Sequence, residues 1–212
     1  MLRGDWICID GNISSGKSTL AQSVLQELGP QRILLGPEAT NDWTNFFSYN
    51  VLEKVKSKSA ADFFAAQTVI QQSQFNTILA CFEQDPLHKK IKIIERGLSS
   101  GLFVFAKAAL ENSIIDKFHF LCLEYLYDNL INHLKKTNKQ YIFIHTDPTI
   151  CVQRTQNKLQ AHPHDQLAFL NSLDRLYSLY FSYQKPLLEL NGSNSIQSNS
   201  DHICRVLNKY YP

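Results

Sequence analysis

The stretch IDGNISSGKSTLAQ, residues 9–22, decides the fold. Gly11, Gly16, Lys17 and Ser18 satisfy the pattern G-x-x-x-x-G-K-[ST] without a mismatch. Upstream, DWICID (5–10) reads as a short apolar strand. Downstream, STLAQSVLQEL is apolar at Leu20, Val24, Leu25 and Leu28, the spacing of one helical face. Strand, glycine-containing turn and helix are the context this pattern requires. Glycines let the backbone curl around phosphate oxygens, and the free N–H groups at a helix start point at them. Gly11, Asn12, Ile13, Ser14, Ser15, Gly16, Lys17, Ser18 and Thr19 therefore form the candidate cradle for a nucleotide. Lys17 is placed to reach a transferred phosphate, and the Ser18 hydroxyl to take a place on Mg²⁺. Such a cradle by itself fits a switch, a motor, a synthetase or a kinase.

Length and composition bound the choice. A chain of 212 residues suits a single domain, 1–212, with a sizeable core. A formal net charge of +2 gives no reason to expect nucleic acid or an anionic membrane as partner. Cys8, Cys81, Cys122, Cys151 and Cys204 are scattered, odd in number and without a C-x-x-C pair. Free thiols in a reducing compartment are expected, and neither a disulfide framework nor a zinc site. The first strand starts by about Asp5, so no leader peptide is expected, and no apolar run approaches the length of a membrane span. The expectation is a soluble, cytoplasmic protein.

Apolar runs of strand character recur at ILLGPE (33–38), IKIIER (91–96), YIFIHT (141–146) and LLELNG (187–192). Helix-compatible segments separate them. Alternation of this kind predicts an α/β protein with a parallel five-stranded sheet covered by helices on both faces. Ligands of such sheets sit beyond the carboxyl ends of the strands, which directs attention to Glu38, Glu95, Arg96 and Asp147. The Ser/Asn-rich NGSNSIQSNSD (191–201) reads as a loop before a last short helix.

Residues 103–134 are unusually apolar, with Ile114, Ile115, Phe118, Phe120, Leu121, Leu123, Tyr125, Leu126 and Tyr127 spread over more than one face. A helix apolar most of the way round must bury more than one side. Core packing accounts for part of this; a homodimer contact through helices around 66–82 and 103–134 is the further expectation.

Several readings of the cradle then separate. The base-reading N-K-x-D of a GTPase is missing, since NKQY (138–141) lacks the aspartate. The third strand ends on Glu95 followed at once by Arg96. Glu95 can hold Mg²⁺ while Arg96 neutralises charge on the transferred group or steers an acceptor hydroxyl; the same pair could be a structural salt bridge. Glu38, at the end of the second strand, is placed as a general base for an alcohol, or is a solvated loop carboxylate. Trp43 can wall off an aromatic or sugar ligand, or anchor the core.

Taken in order, GNISSGKST, a Glu with a Trp five residues later, FFAAQ and IIERGLSSGLFVFA resemble the deoxyribonucleoside kinase family. The likeness runs from about residue 7 to 108, weakens, and resumes faintly after IHTDPTICVQR (144–154). It implies a P-loop kinase fold with a short lid at about 154–166, and transfer of the γ-phosphate of ATP to the 5′-hydroxyl of a deoxynucleoside. By this resemblance Glu38 takes the hydroxyl proton, Arg96 binds the same oxygen and Glu95 sits by Mg²⁺. Gln67 makes paired hydrogen bonds to a base edge, Phe105 stacks on the base, and Trp43, Ile13, Leu52 and Val55 complete the slot.

Departures from the family pattern carry information too. Gln74 stands where deoxycytidine kinase has an arginine, and Gly101 where it has an aspartate. Ala66 replaces a phenylalanine before the glutamine. Loss of both charges and of bulk leaves room for a 5-methyl group, which favours pyrimidines, thymidine included, with broad tolerance. Lys56 falls where a tyrosine reads the sugar 3′-hydroxyl. The lid keeps Arg154 and Lys158 but lacks the other arginines, and HPHD (162–165) offers no set of three metal ligands. Two alternatives stay open: a thymidylate-type monophosphate kinase, for which Lys56 is the single hint, and a nucleotide-binding protein of kinase descent with impaired chemistry.

Overall fold

A computed structural model describes residues 4–37, 59–155 and 163–211. Five parallel strands form one sheet in the order β2-β3-β1-β4-β5. They are β1 (Gly4–Gly11), β2 (Ile33–Leu35), β3 (Ile91–Glu95), β4 (Thr137–His145) and β5 (Leu188–Asn191). Strand β1 is central and lies between β3 and β4, with Ile9 opposite Glu95 and Gly11 opposite Ile144. The loop after β1 and the end of β3 thus open at the same edge of the sheet.

Side chains alternate across each strand, and the alternation sorts the core into two unlike layers. Ile7, Ile9, Ile91, Ile93, Ile142, Ile144 and Leu190 face α1 (Lys17–Leu28) and α8 (Ile196–Tyr210), which contribute Leu20, Val24, Ile203 and Leu207. Each fully buried aliphatic side chain there contributes about 1.5–3 kcal/mol. Trp6, Cys8, Ile94, Tyr141 and Phe143 point to the opposite side. They meet α2 (Ala60–Gln84), α5 (Lys117–His133) and α7 (Pro163–Tyr183) through Phe75, Ile78, Phe82, Leu130, Leu173, Tyr177 and Phe181. A sheet with helices on both faces is the expected architecture.

Between β3 and α5 the chain runs through the short α3 (Leu98–Ser100), a π-helical segment (Gly101–Ala106) and α4 (Lys107–Glu111). Helix α6 (Pro148–Thr155) follows β4. The apolar stretch 103–134 is therefore two helical pieces. Asn112 Nδ2 donates back to the Ala108 carbonyl at 2.8 Å, Ser113 has φ 55°, and Asp116 caps α5 by accepting from His119 N at 2.9 Å. Splitting distributes its faces: Leu102, Ala106, Ile115, Phe120 and Leu123 enter a third cluster with Phe63 of α2.

Two boundaries differ from the sequence reading. Strand β4 begins at Thr137, because Thr137–Gln140 pair with β1 from Gly4 onward and Trp6 Nε1 donates to Thr137 Oγ1 at 3.0 Å. Helix α8 takes up half of the Ser/Asn-rich stretch and runs for 15 residues. Ser195 caps it, accepting from Ser198 N at 3.1 Å, and Asn199 Nδ2 reaches the Asn191 carbonyl at 2.9 Å. Serine and asparagine there are capping and anchoring groups of a helix. The cysteines are free thiols, and all but the half-buried Cys122 are buried. Among the described residues no helix is long and apolar enough to cross a membrane.

Candidate functional site

The cradle forms because β1 ends in glycine. A Cβ on Gly11 would stand 2.5 Å from the Ile144 carbonyl of β4, so only glycine lets the loop leave the sheet here. Gly16, at φ 99°, turns the chain into α1 in a conformation side-chain-bearing residues avoid. Fixed partners hold the loop from outside. Asn12 Nδ2 donates to the Leu170 carbonyl of α7 at 2.9 Å, and Thr155 Oγ1 to Ser14 Oγ at 2.8 Å. Asn12 therefore uses its side chain to fasten the loop to α7.

Lys17 is buried and folds back over the loop. Its Nζ donates to the Asn12 carbonyl at 2.6 Å and the Gly11 carbonyl at 3.2 Å. Burial, and then the charge of Arg96, depress its ammonium to about 7. Ser18 and Thr19 are exposed on the first turn of α1, where hydroxyls are free to meet a metal ion or water. Ile13 is half-buried against the aromatic layer. Arg154, at the end of α6, donates to the Gly192 carbonyl at 3.0 Å and the Ser15 carbonyl at 3.5 Å. It clamps the loop after β1 to the loop after β5.

The end of β3 supplies the second half of the site. Glu95 is half-buried and its charge bears on Lys17. Arg96 adopts φ 57°, a left-handed conformation uncommon for an arginine, while its N–H stays on the Ile9 carbonyl at 2.9 Å. Its guanidinium lies 4.9 Å above the Phe105 ring, and its Nε is buried with no hydrogen-bond partner. Two residues overlooked in the sequence hold it. Asp10 is fully buried at the end of β1, and Tyr177 of α7 donates to its Oδ1 at 2.9 Å while also hydrogen-bonding Arg96. Burial raises the Asp10 carboxyl, against the opposing pull of Arg96, Tyr177 and Lys17. Burial and the Asp10 charge push the Tyr177 phenol up, so it stays a donor. The pattern [I]-D-G before the loop hinted at Asp10; nothing local announced Tyr177, which is 167 residues away.

Helix α2 closes the site from the far side. Gln67 is buried and its Nε2 donates to the Gly101 carbonyl at 3.0 Å. Gln71 and Gln74 follow on the same face, both buried. Their unpaired atoms are Gln71 Oε1, Gln71 Nε2 and Gln74 Oε1. Gly101 and Phe105 lie one π-helical turn apart on the facing segment. Among the predicted site residues the structure thus brings together Lys17, Glu95 and Arg96 at one edge, and Gln67, Gln74 and Gly101 beside them. Phe105 bridges the two groups through Arg96. Asp147, also at that edge, caps α6 by accepting from Thr149 N at 2.8 Å. Glu38, Trp43, Leu52, Val55, Lys56 and Lys158 lie outside the described residues, as does the lid beyond Thr155 up to residue 162.

A separate cavity of about 570 Å³ opens beyond β4 and β5, lined by His145, Asp147, Asp174 and Glu189 among others. Its lining carries three carboxylates, Asp147, Asp174 and Glu189, which repel phosphate. Among the described residues no group of three or more His, Cys, Asp or Glu is arranged to hold a metal ion.

Comparison with known proteins bears on the same residues. A family model described as deoxynucleoside kinase matches residues 7–211. The chain is 28% identical over 207 residues to a deoxyguanosine kinase of Dictyostelium discoideum, covering 96% of this chain and 67% of that protein. It is 24% identical over 220 residues to a fowlpox virus protein named a probable deoxycytidine kinase, covering 97% and 86%. It is 19% identical over 174 residues to human mitochondrial thymidine kinase 2, covering 82% and 62%.

Proposed function

The chain belongs to the deoxynucleoside kinase family, and from that premise we propose that it transfers the γ-phosphate of ATP to the 5′-hydroxyl of a deoxynucleoside. The observation that carries this reading is the meeting of Lys17 and Arg96 at one sheet edge, with a buried row of amides beside them. Phosphate-binding cations on one side and neutral hydrogen-bonding groups on the other suit a molecule that is a nucleoside at one end and a phosphate acceptor at the other.

The residues divide the work. Backbone N–H groups of Gly11–Ser18 and the Lys17 ammonium hold the phosphate chain. The glycine cradle and the exposed Ser18 hydroxyl fit a magnesium nucleotide, with Ser18 and Glu95 as the groups that would hold the ion. Bound there, Mg²⁺ supplies neutralisation of charge between the phosphates. Glu38 takes the proton from the 5′-hydroxyl as its oxygen attacks phosphorus. Arg96 orients that oxygen and offsets negative charge on the group in transfer. Arg154 and Lys158 add positive charge from the lid side. Gln67 reads the base edge, Phe105 stacks on the base, and Trp43, Leu52, Val55 and Lys56 line the remainder of the slot. A Cβ on Gly101 would lie 3.0 Å from Gln67 Nε2, so the bare position keeps that amide clear. With Gln74 neutral and Ala66 small, the slot admits several bases, thymidine and deoxycytidine foremost.

The protein works as a homodimer in this reading. On α5, Phe118 and Tyr125 are 72% and 73% exposed and Leu121 is 45% exposed, a strip of one helical face. Sedimentation velocity on the wild type and a Phe118→Asp, Tyr125→Lys double variant checks it: a dimer for the first, a monomer for the second. Free thiols suit a reducing compartment such as the cytoplasm.

The activity test is ATP-dependent phosphorylation of thymidine, deoxycytidine, deoxyguanosine, deoxyadenosine and thymidine monophosphate by the wild type and Glu38→Gln. Turnover of nucleosides, with the variant down by about 10²-fold or more, is the expected result. Turnover of the monophosphate alone would move the protein to the thymidylate-type reading. Binding without turnover would make it a nucleotide-binding protein.

A further inference from the structure

Gln71 is fully buried, yet neither end of its amide has a hydrogen-bond partner. Burying a polar amide unpaired is expensive, and an apolar side chain of the same size would avoid the expense. Its neighbours give the position meaning. Gln67, Gln71 and Gln74 stand at i, i+4 and i+7 on α2, one above the other on a single face. That face meets the one place on the π-helical segment without a side chain. A Cβ on Gly101 would lie 3.0 Å from Gln67 Nε2, 3.5 Å from Gln71 Cγ and 3.5 Å from Gln74 Oε1. Gln74 Oε1 is unpaired as well, and so is the buried Nε of Arg96, whose guanidinium lies over Phe105 of the same segment. The unpaired buried side-chain atoms among the described residues therefore fall on α2 and at the end of β3, and the π-helical segment meets both groups, at Gly101 and at Phe105.

We propose that Gln71 is a specificity-determining residue of the base slot, completing with Gln67 and Gln74 a row of three amides that reads a planar, uncharged base carrying both donors and acceptors. This rests on the kinase reading above. A carboxamide rotated by half a turn exchanges its donor and acceptor at no cost in shape. Gln67 is held in one sense by the Gly101 carbonyl, whereas Gln71 has no protein group to fix its sense. It answers a keto edge with its NH₂ and an amino edge with its carbonyl. One row of neutral amides can then serve bases of opposite pattern, which a fixed charge pair cannot. Tolerance of several nucleosides follows from Gln71, and Gln67 supplies the common anchor.

The test is Gln71→Met, an unbranched apolar side chain of similar volume, assayed with thymidine, deoxycytidine, deoxyguanosine and deoxyadenosine beside the wild type. The expected result is a melting temperature raised by roughly 2–4 °C, since an unpaired amide has been removed. KM for nucleosides should rise by about tenfold and unequally, with KM for ATP unchanged. A raised melting temperature with the nucleoside ranking untouched would overturn the proposal. So would a fall in melting temperature with the ranking untouched, which would mark Gln71 as a structural amide. Should the Met variant fail to fold, Gln71→Asn, which draws the amide back by one methylene, is read on the same panel. A changed ranking supports the proposal, and an unchanged one rejects it. If the wild type phosphorylates none of the four, the kinase reading falls; calorimetric titration of the same nucleosides into both proteins then decides for Gln71 alone, equal affinities being the outcome against it.

Discussion

Two buried polar clusters lie at opposite ends of strand β3, and they are built on opposite plans. At its amino end, Lys92 is fully buried and donates to Asp85 Oδ2 at 2.7 Å and to the Lys90 carbonyl at 3.2 Å. Asp85 accepts further from the Lys89 and Lys90 amides at 3.1 and 2.9 Å, and Phe82 covers the ammonium at 5.0 Å. This cluster is closed. At the carboxyl end, Arg96, Gln71 and Gln74 keep unpaired atoms under comparable burial. A buried polar group with its partners in place secures the fold, while one without them stays open to a partner from outside the chain, water included. The difference separates a closed polar cluster from an open one at the two ends of one strand.

The closed cluster gives the largest effect on stability. Lys92→Met should lower the unfolding free energy by about 3–5 kcal/mol by stranding a buried carboxylate, with kcat in the nucleoside assay little changed; chemical denaturation measures the first and turnover the second. Its pH dependence has a definite sign. Burial pushes the Asp85 carboxyl up, but the hydrogen bonds from Lys92, Lys90 and Lys89 outweigh this and bring it to about 2. A carboxyl lowered in the folded state stabilises above its unfolded value near 4 and ceases to as pH falls through about 2. Melting temperatures followed from pH 5 to 2 should fall more steeply for the wild type than for Asp85→Asn; parallel profiles would refute the assignment.

The open cluster gives a smaller effect of the other kind. Tyr177 hydrogen-bonds Arg96 as well as donating to Asp10, so Tyr177→Phe should lower kcat about tenfold by removing the hydroxyl between them, while KM for nucleosides holds. A purely structural tyrosine would alter the melting temperature and leave kcat where it was. If the two clusters were alike, Lys92→Met and Tyr177→Phe would move the same observable.

Much of this was legible beforehand because it is local. The glycine cradle, the five strands and their layering depend on short spacings, and the strands were read within a residue or two except the start of β4 and the end of β2, which stops at Leu35. The start of β4 escaped because Thr137–Gln140 are polar, and only pairing with β1 makes them a strand. The beginning of α8 escaped because Ser195 and Asn199 look like loop residues until their hydrogen bonds are known. Asp10, Gln71 and Tyr177 were missed for a further reason: their significance lies in partners far along the chain, or in having none. The break at Asn112–Asp116 was likewise hidden under a continuous apolar pattern.

With its φ of 57°, arginine occupies position 96 against the preference of its own backbone, which glycine or asparagine would satisfy better. An Arg96→Gly exchange would ease the main chain and remove the cation in the same step, so stability and charge at this point of the sheet edge are set against each other.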